Sequence, residues 1–215
     1  MDDYNTLQPD NTNKSNTIEE ETIFNSSEET LDLGNGHDEI EAETITKEGL
    51  IDTGKGADDI EADEITNSGT ITTGTGSDEI NADVLVNEGT IEMGSGSDEI
   101  NLKILENSGQ IYFDNGGDRL IISEHVINNG LVDFGGGGDL LDISGGQVEG
   151  DGQFLMGDGD DTVIGHGEGY FDGGEGEQDQ ILLNEGVYTI GNGSVTSNGV
   201  TMTIEGFEYF GGTGD

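Results

Sequence analysis

The chain has 215 residues, 39 of them glycine, and a formal net charge of −43. Five Lys and Arg residues set against 48 Asp and Glu cannot line a phosphate groove, so nucleic acid is excluded as a partner and an anionic membrane surface would repel the chain. No apolar run is long enough to span a bilayer.

Apolar residues make up 30%, against about 45–50% in ordinary soluble domains. Low hydrophobicity with high net charge is the composition of disorder, yet Ile and Leu recur here at fixed places. Together these predict a chain that is disordered alone and ordered when something neutralises its acid. There is no cysteine, which fits an extracellular protein.

In chain order, residues 1–30 carry no repeat and are rich in Asn, Thr, Ser and Glu. They show neither a basic n-region nor an apolar h-region, hence no Sec-type signal peptide. They read as a disordered tail or an N-terminal cap.

Residues 31–183 are a repeat. Four units of 20 residues begin at Leu31, Ile51, Ile71 and Ile91, and Asp38, Asp58, Asp78 and Asp98 fall at the same place in each. The spacing then loosens to 20, 21, 22 and 18 residues, which brings Asp118, Asp139, Asp161 and Asp179. A 20-residue period is too short for two packed helices, and paired glycines disfavour helix. Each unit instead holds two runs, such as "DEINADVLV" and "GTIEM", between two turn signals. One turn is G-x-G-x-D; the other is Asn-x-Gly, at 67–69, 87–89 and 107–109. Ile40 and Ala42 alternate with Glu39 and Glu41, as do Ile60 and Ala62 with their neighbours. That period of two points the apolar residues inward and the carboxylates outward. The expected fold is all-β: a right-handed parallel β-solenoid, a β-roll or β-helix, of about eight stacked turns with one thin core. Residues 184–215 are richer in Thr, Val and aromatics. They read as a short C-terminal β segment leading toward further repeats.

Stacking brings the eight Asp residues into one column. Bare carboxylates about 4.8 Å apart repel by about 0.9 kcal/mol in water and about 3.5 kcal/mol at an effective dielectric near 20. A column of them calls for cations. The ligands on offer are carboxylate and carbonyl oxygens, and His37, His125 and His166 do not follow the repeat. All-oxygen sites suit Ca²⁺ or Mg²⁺, and a wrapped glycine loop suits the flexible, many-oxygen shell of Ca²⁺ better than a strict octahedron.

At this point "GTGSDEINA" resembles the RTX, or hemolysin-type, calcium-binding nonapeptide G-G-x-G-x-D-x-U-x. The resemblance covers residues 31–183. It implies Ca²⁺ shared between the loops of neighbouring turns, up to about seven ions. The implied Asp ligands are Asp38, Asp58, Asp78, Asp98, Asp118, Asp139, Asp161 and Asp179. The loop glycines are Gly34 and Gly36, Gly54 and Gly56, Gly74 and Gly76, and Gly94 and Gly96. They continue as Gly116, Gly135 and Gly137, Gly157 and Gly159, and Gly174 and Gly176. The departures are specific. The family motif returns every nine residues, here about every 20, so calcium would line one edge only. The Asn-x-Gly edge is more similar to repeats of secreted filamentous adhesins. The family's first glycine is replaced by Leu33, Thr53, Thr73, Met93, Phe113, Phe134 and Met156; the turn at Asp114 lacks a glycine; and the turn before Asp179 has an extra residue.

The resemblance implies a secreted, extracellular or cell-surface protein, exported by a type I-like route and folding when it meets external Ca²⁺ at about 10⁻⁴–10⁻³ M. It points to an adhesin or surface exoprotein whose partners are calcium and extracellular polysaccharide or a cell surface. Two alternatives stand beside it: a structural adhesin solenoid that needs no metal, and the accessory tail of a secreted polysaccharide-acting enzyme. No catalytic constellation is visible, so the chain itself is not expected to be an enzyme.

Overall fold

The computed structural model describes residues 14–213; the expected tail over residues 1–13 lies outside them. Two 11-stranded sheets run the length of the stack, with parallel pairing from turn to turn. One is built from long strands such as Glu39–Lys47, Asp59–Asn67, Glu79–Asn87 and Glu99–Asn107. The other is built from three-residue strands such as Leu50–Asp52, Thr70–Thr72 and Thr90–Glu92. Each strand pairs with its equivalent one repeat later, Ile40 with Ile60 and Ile51 with Ile71. The expected β-solenoid is the observed architecture.

Alternation sets the inside. Ile40, Ile60, Ile80, Ile100 and Leu120 form one fully buried column, and Ile51, Ile71, Ile91 and Ile111 form another on the facing sheet. Each such side chain stabilises the stack by about 1.5–3 kcal/mol, so a small apolar fraction suffices when every turn places its share in the same columns. A third column holds Leu33, Thr53, Thr73, Met93, Phe113, Phe134 and Met156, all fully buried. These replace the first glycine of the nonapeptide. They point inward and feed the core; the rings of Phe113 and Phe134 stack with centroids 4.8 Å apart.

The uneven spacings have local causes. The strand Arg119–Asn128 has ten residues rather than nine. Its register against Glu99–Asn107 shifts between Ile122 and His125. This bulge supplies the extra residue between Asp118 and Asp139. In the next turn the long strand breaks into Leu140–Asp142 and Gln147–Glu149 around a glycine turn. The turn after it loses the second half of that strand, which gives the 18-residue step.

The N-terminal end differs from expectation, whereas the C-terminal end holds the expected β segment. Thr17–Asn25 is a full long strand, paired in register with Glu39–Lys47 from Thr17↔Glu39 to Asn25↔Lys47. Among the described residues the stack therefore already includes the strand from residue 17, ahead of the expected start at 31, because Ile18 and Ile23 repeat the inward pattern of Ile40 and Ile45. At the other end, Val200–Glu205 and Tyr209–Gly212 each add a further parallel strand to one sheet. Ser194–Ser197 then pairs antiparallel with Val200–Glu205 across the left-handed pair Asn198 (φ 52°) and Gly199 (φ 87°), a two-residue hairpin turn. Thr189–Ile190 pairs antiparallel on the other side of Ser194–Ser197 and is the outermost strand of the short-strand sheet at this end.

Among the G-x-G turns, the first glycine holds φ between 81° and 97° in seven cases, from Gly34 to Gly174. In the remaining turn Asp114 holds φ 69° at the same place. A side chain in that conformation is strained by about 1–2 kcal/mol. Asp114→Gly should therefore stabilise the solenoid by about 1 kcal/mol, the strain relieved less the greater freedom of glycine in the unfolded chain. A urea midpoint shifted upward in calcium-containing buffer would show it; an unchanged or lower midpoint would refute it.

Candidate functional site

The G-x-G-x-D corner joins the short-strand sheet to the long-strand sheet. Its central residues pair turn to turn, Lys55 with Thr75 and Thr75 with Ser95. Stacking itself demands the second glycine. A β carbon on Gly56 would collide with Gly36 O, and the clash recurs at Gly76, Gly96, Gly116, Gly137 and Gly159 against the turn before. These carbonyls aim along the stack at the next α carbon, and among the described residues no backbone N–H donates to Gly56 O, Gly76 O or Gly96 O.

Inside the corner the structure aligns all eight predicted Asp residues, each at most 2% exposed. Even the turn with an extra residue complies: Glu177 and Gln178 bulge outward and bond to Asp160, leaving Asp179 in the column. One oxygen of each carboxyl is satisfied the same way throughout. The amide of Asp38 donates to Asp58 Oδ1 at 2.8 Å, Asp58 N to Asp78 Oδ1 at 2.9 Å, and so on to Asp161 N on Asp179 Oδ1 at 2.8 Å. At the start Asn16 takes the place of an Asp, donating both N (2.6 Å) and Nδ2 (2.8 Å) to Asp38 Oδ1. At the far end Glu208 Oε2 accepts from Asp179 N at 3.0 Å.

The other oxygen is orphaned. Oδ2 of all eight column Asp residues is buried with no hydrogen-bond partner. The Thr53 and Thr73 hydroxyls stand near Asp58 and Asp78 and favour their ionised forms, but they are spent on the carbonyls of Thr73 and Met93. Burial pushes the carboxyls of Asp78, Asp139 and Asp161 up to about 7, and those of Asp98 and Asp118 up to about 6. The amide bond pulls each back, and neighbouring carboxylates push the same way as burial. Asp58 and Asp179 move up for the same leading reason.

The opposite corner is also a polar column, and it is self-sufficient. Asn67 Nδ2 donates to Asn87 Oδ1 at 2.8 Å, Asn87 to Asn107 at 2.9 Å and Asn107 to Asn128 at 2.9 Å. An amide both donates and accepts, so the chain of bonds closes on itself. In the sequence Asn-x-Gly marks only a turn; the structure also buries its Asn side chains. A lysine interrupts this column: Lys47 stands where the others have Asn, and it is fully buried.

What the Asp column can do follows from its chemistry. Ionised carboxylates only accept, so each buried Oδ2 needs a proton or a cation. The donor set is oxygen throughout: one Asp carboxyl per turn and the backbone carbonyls of the same glycine corner. Among the described residues no three acidic, His or Cys side chains converge on one point, within a turn or between turns, so a cation here would have to draw on backbone carbonyls as well as on Asp.

The pH dependence has a definite sign. Folded-state values lie above the unfolded Asp value of about 3.9, so the metal-free folded chain binds more protons between about pH 4 and pH 7. Stability from these carboxyls is full below that window and is lost as pH rises through it. In chelator, the denaturation midpoint should be higher at pH 5 than at pH 8, with a smaller difference in Asp78→Asn; a midpoint that rises with pH would contradict the buried column. Comparison with family models, with curated proteins and with solved structures finds no match to this chain, so its reading rests on its own geometry.

Proposed function

We propose that this chain is a calcium-binding β-solenoid of the RTX type, part of a secreted or cell-surface exoprotein such as an adhesin. The observation that carries the reading is the set of eight buried, partnerless Oδ2 atoms in register. Asp residues of adjacent turns, such as Asp58 and Asp78, would hold each ion together with carbonyl oxygens such as that of Gly56. Bound Ca²⁺ supplies two positive charges per site and accepts irregular oxygen shells. The chain's own residues fix the rest. The Oδ1–amide bonds hold each carboxyl in orientation, the glycines let successive turns approach, and the Ile columns set the repeat. Binding then adds to the stability of a fold that protons can also hold at lower pH, and affinities of about 10⁻⁴–10⁻³ M suit an extracellular module.

A second reading has its own support. Every Oδ1 already accepts an amide bond from the neighbouring turn, and the second glycine is required by stacking alone. A protonated column could therefore hold a structural solenoid without metal.

One substitution separates the two. In Asp78→Asn the amide keeps an acceptor for Asp58 N and gains a donor, as in the Asn column, but removes a charged ligand. The calcium reading expects fewer or weaker sites by calorimetric titration with Ca²⁺, with metal-free stability equal or higher; Glu79→Ala, on the outer face, should bind as the unaltered chain does. No heat of binding at millimolar Ca²⁺ in the unaltered chain, or identical binding by Asp78→Asn, would transfer the case to the second reading.

A further inference from the structure

The chain has 48 carboxylates for five cations, yet Lys47 is buried on an amide. Lys103 pairs with Asp83 and Arg119 with Glu99 on the surface. Lys47 is fully buried, and its Nζ lies 3.0 Å from Oδ1 of Asn25, itself 6% exposed. Asn25 and Lys47 are register partners in neighbouring strands of the first two turns. Around them the corner is closely built. The amides of Glu48 and Gly49 both donate to Asn25 O at 2.8 and 3.3 Å. A side chain on Gly49 would press on Asn25 Oδ1, at 2.6 Å from a β carbon. A carboxylate stands at the same corner, where Glu29 Oε2 accepts from Ser26 N at 2.8 Å.

We infer that Lys47 and Asn25 form an intramolecular isopeptide bond that locks the first turn of the solenoid to the second. The amine lone pair forms the Nζ–Cγ bond to the Asn25 carboxamide. The Cγ–Nδ2 bond breaks, one amine proton passes to the leaving nitrogen, and ammonia departs. Nothing is oxidised or reduced.

Three features favour the step. The amine must be neutral to attack, and burial lowers Lys47 to about 8. The two groups are held together by folding, and such fixed proximity is worth effective molarities of about 10⁵–10⁸ M. The product also suits its surroundings. It replaces a buried ammonium, whose burial is costly, by a neutral amide in a column of amides. Where Asn67, Asn87, Asn107 and Asn128 join their turns at this corner by side-chain hydrogen bonds, these two would be joined covalently.

The test is mass spectrometry of the full chain, folded in calcium, then denatured and cut after lysine. The expected intact mass is lower than the sequence mass by about 17 Da, one ammonia. Lys47 should resist cleavage, so that residues 15–55 appear as one fragment carrying the loss. Asn25→Ala should restore both the full mass and the cut after Lys47. Cyclisation at an Asn-Gly pair such as 35–36 would also release ammonia, but it would leave Lys47 cleavable. A full sequence mass with cleavage after Lys47 in the unaltered chain would overturn the proposal and leave a hydrogen-bonded lysine. Persistence of an uncut Lys47 in Asn25→Ala would overturn it equally, since the amine would then be joined elsewhere.

Discussion

The structure turns on a mismatch between two polar columns. At one corner stacked Asn side chains satisfy one another, because each amide donates to the next turn and accepts from the previous one. At the other corner stacked Asp side chains only accept. The backbone amides provide one donor per turn, and each carboxyl has two oxygens to satisfy. One is taken, at 2.6–2.9 Å from an amide; the other is buried and bare. Leaving such an acceptor unpaired costs about 1–3 kcal/mol, more when it is charged, and the shortfall repeats on every turn. A β-solenoid multiplies whatever its repeat contains. A self-complementary corner becomes a stabilising ladder, and an acceptor-only corner becomes a standing demand for protons or cations.

The remaining structure serves this arrangement. Positive φ at the first glycine turns the chain, and bareness at the second lets the next turn's carbonyl approach. The Ile columns then draw the turns together without a thick core. Outward carboxylates such as Glu39 and Glu41 lie on the exposed faces. There water screens them, so they add little strain. The energetic problem is concentrated at one edge, although Asp59 on the outer face also keeps a buried, unpartnered oxygen, its carboxyl pushed up by burial and by Glu79, Glu61 and Glu39. A divalent cation would relieve it most in the Asp column.

Much of this was legible in the sequence. Alternation of Ile and Glu set the inward faces, and the repeat of Asp38 to Asp179 set the column, even through the irregular spacings. Residues 17–30 were misjudged because their turn carries no G-x-G-x-D, although Ile18, Ile23 and Asn25 already match Ile40, Ile45 and Lys47. Met93 and Phe113 looked like losses from a nonapeptide; they are core residues, because the longer repeat turns that position inward. The orphaned oxygens could not be read at all, since they arise from how one turn's amide meets the next turn's carboxyl. Lys47 left a faint trace in "KEG", which falls where other turns have Asn-x-Gly.

The central claim concerns the charge state of buried carboxyls, which infrared spectroscopy reports directly. At pH 6 in chelator, the folded chain should show the C=O stretch of protonated carboxyl groups shielded from water. Added Ca²⁺ should abolish that band and replace it with metal-bound carboxylate bands, in step with binding. A folded, metal-free chain without a protonated-carboxyl band, or one whose band survives saturating Ca²⁺, would contradict the account.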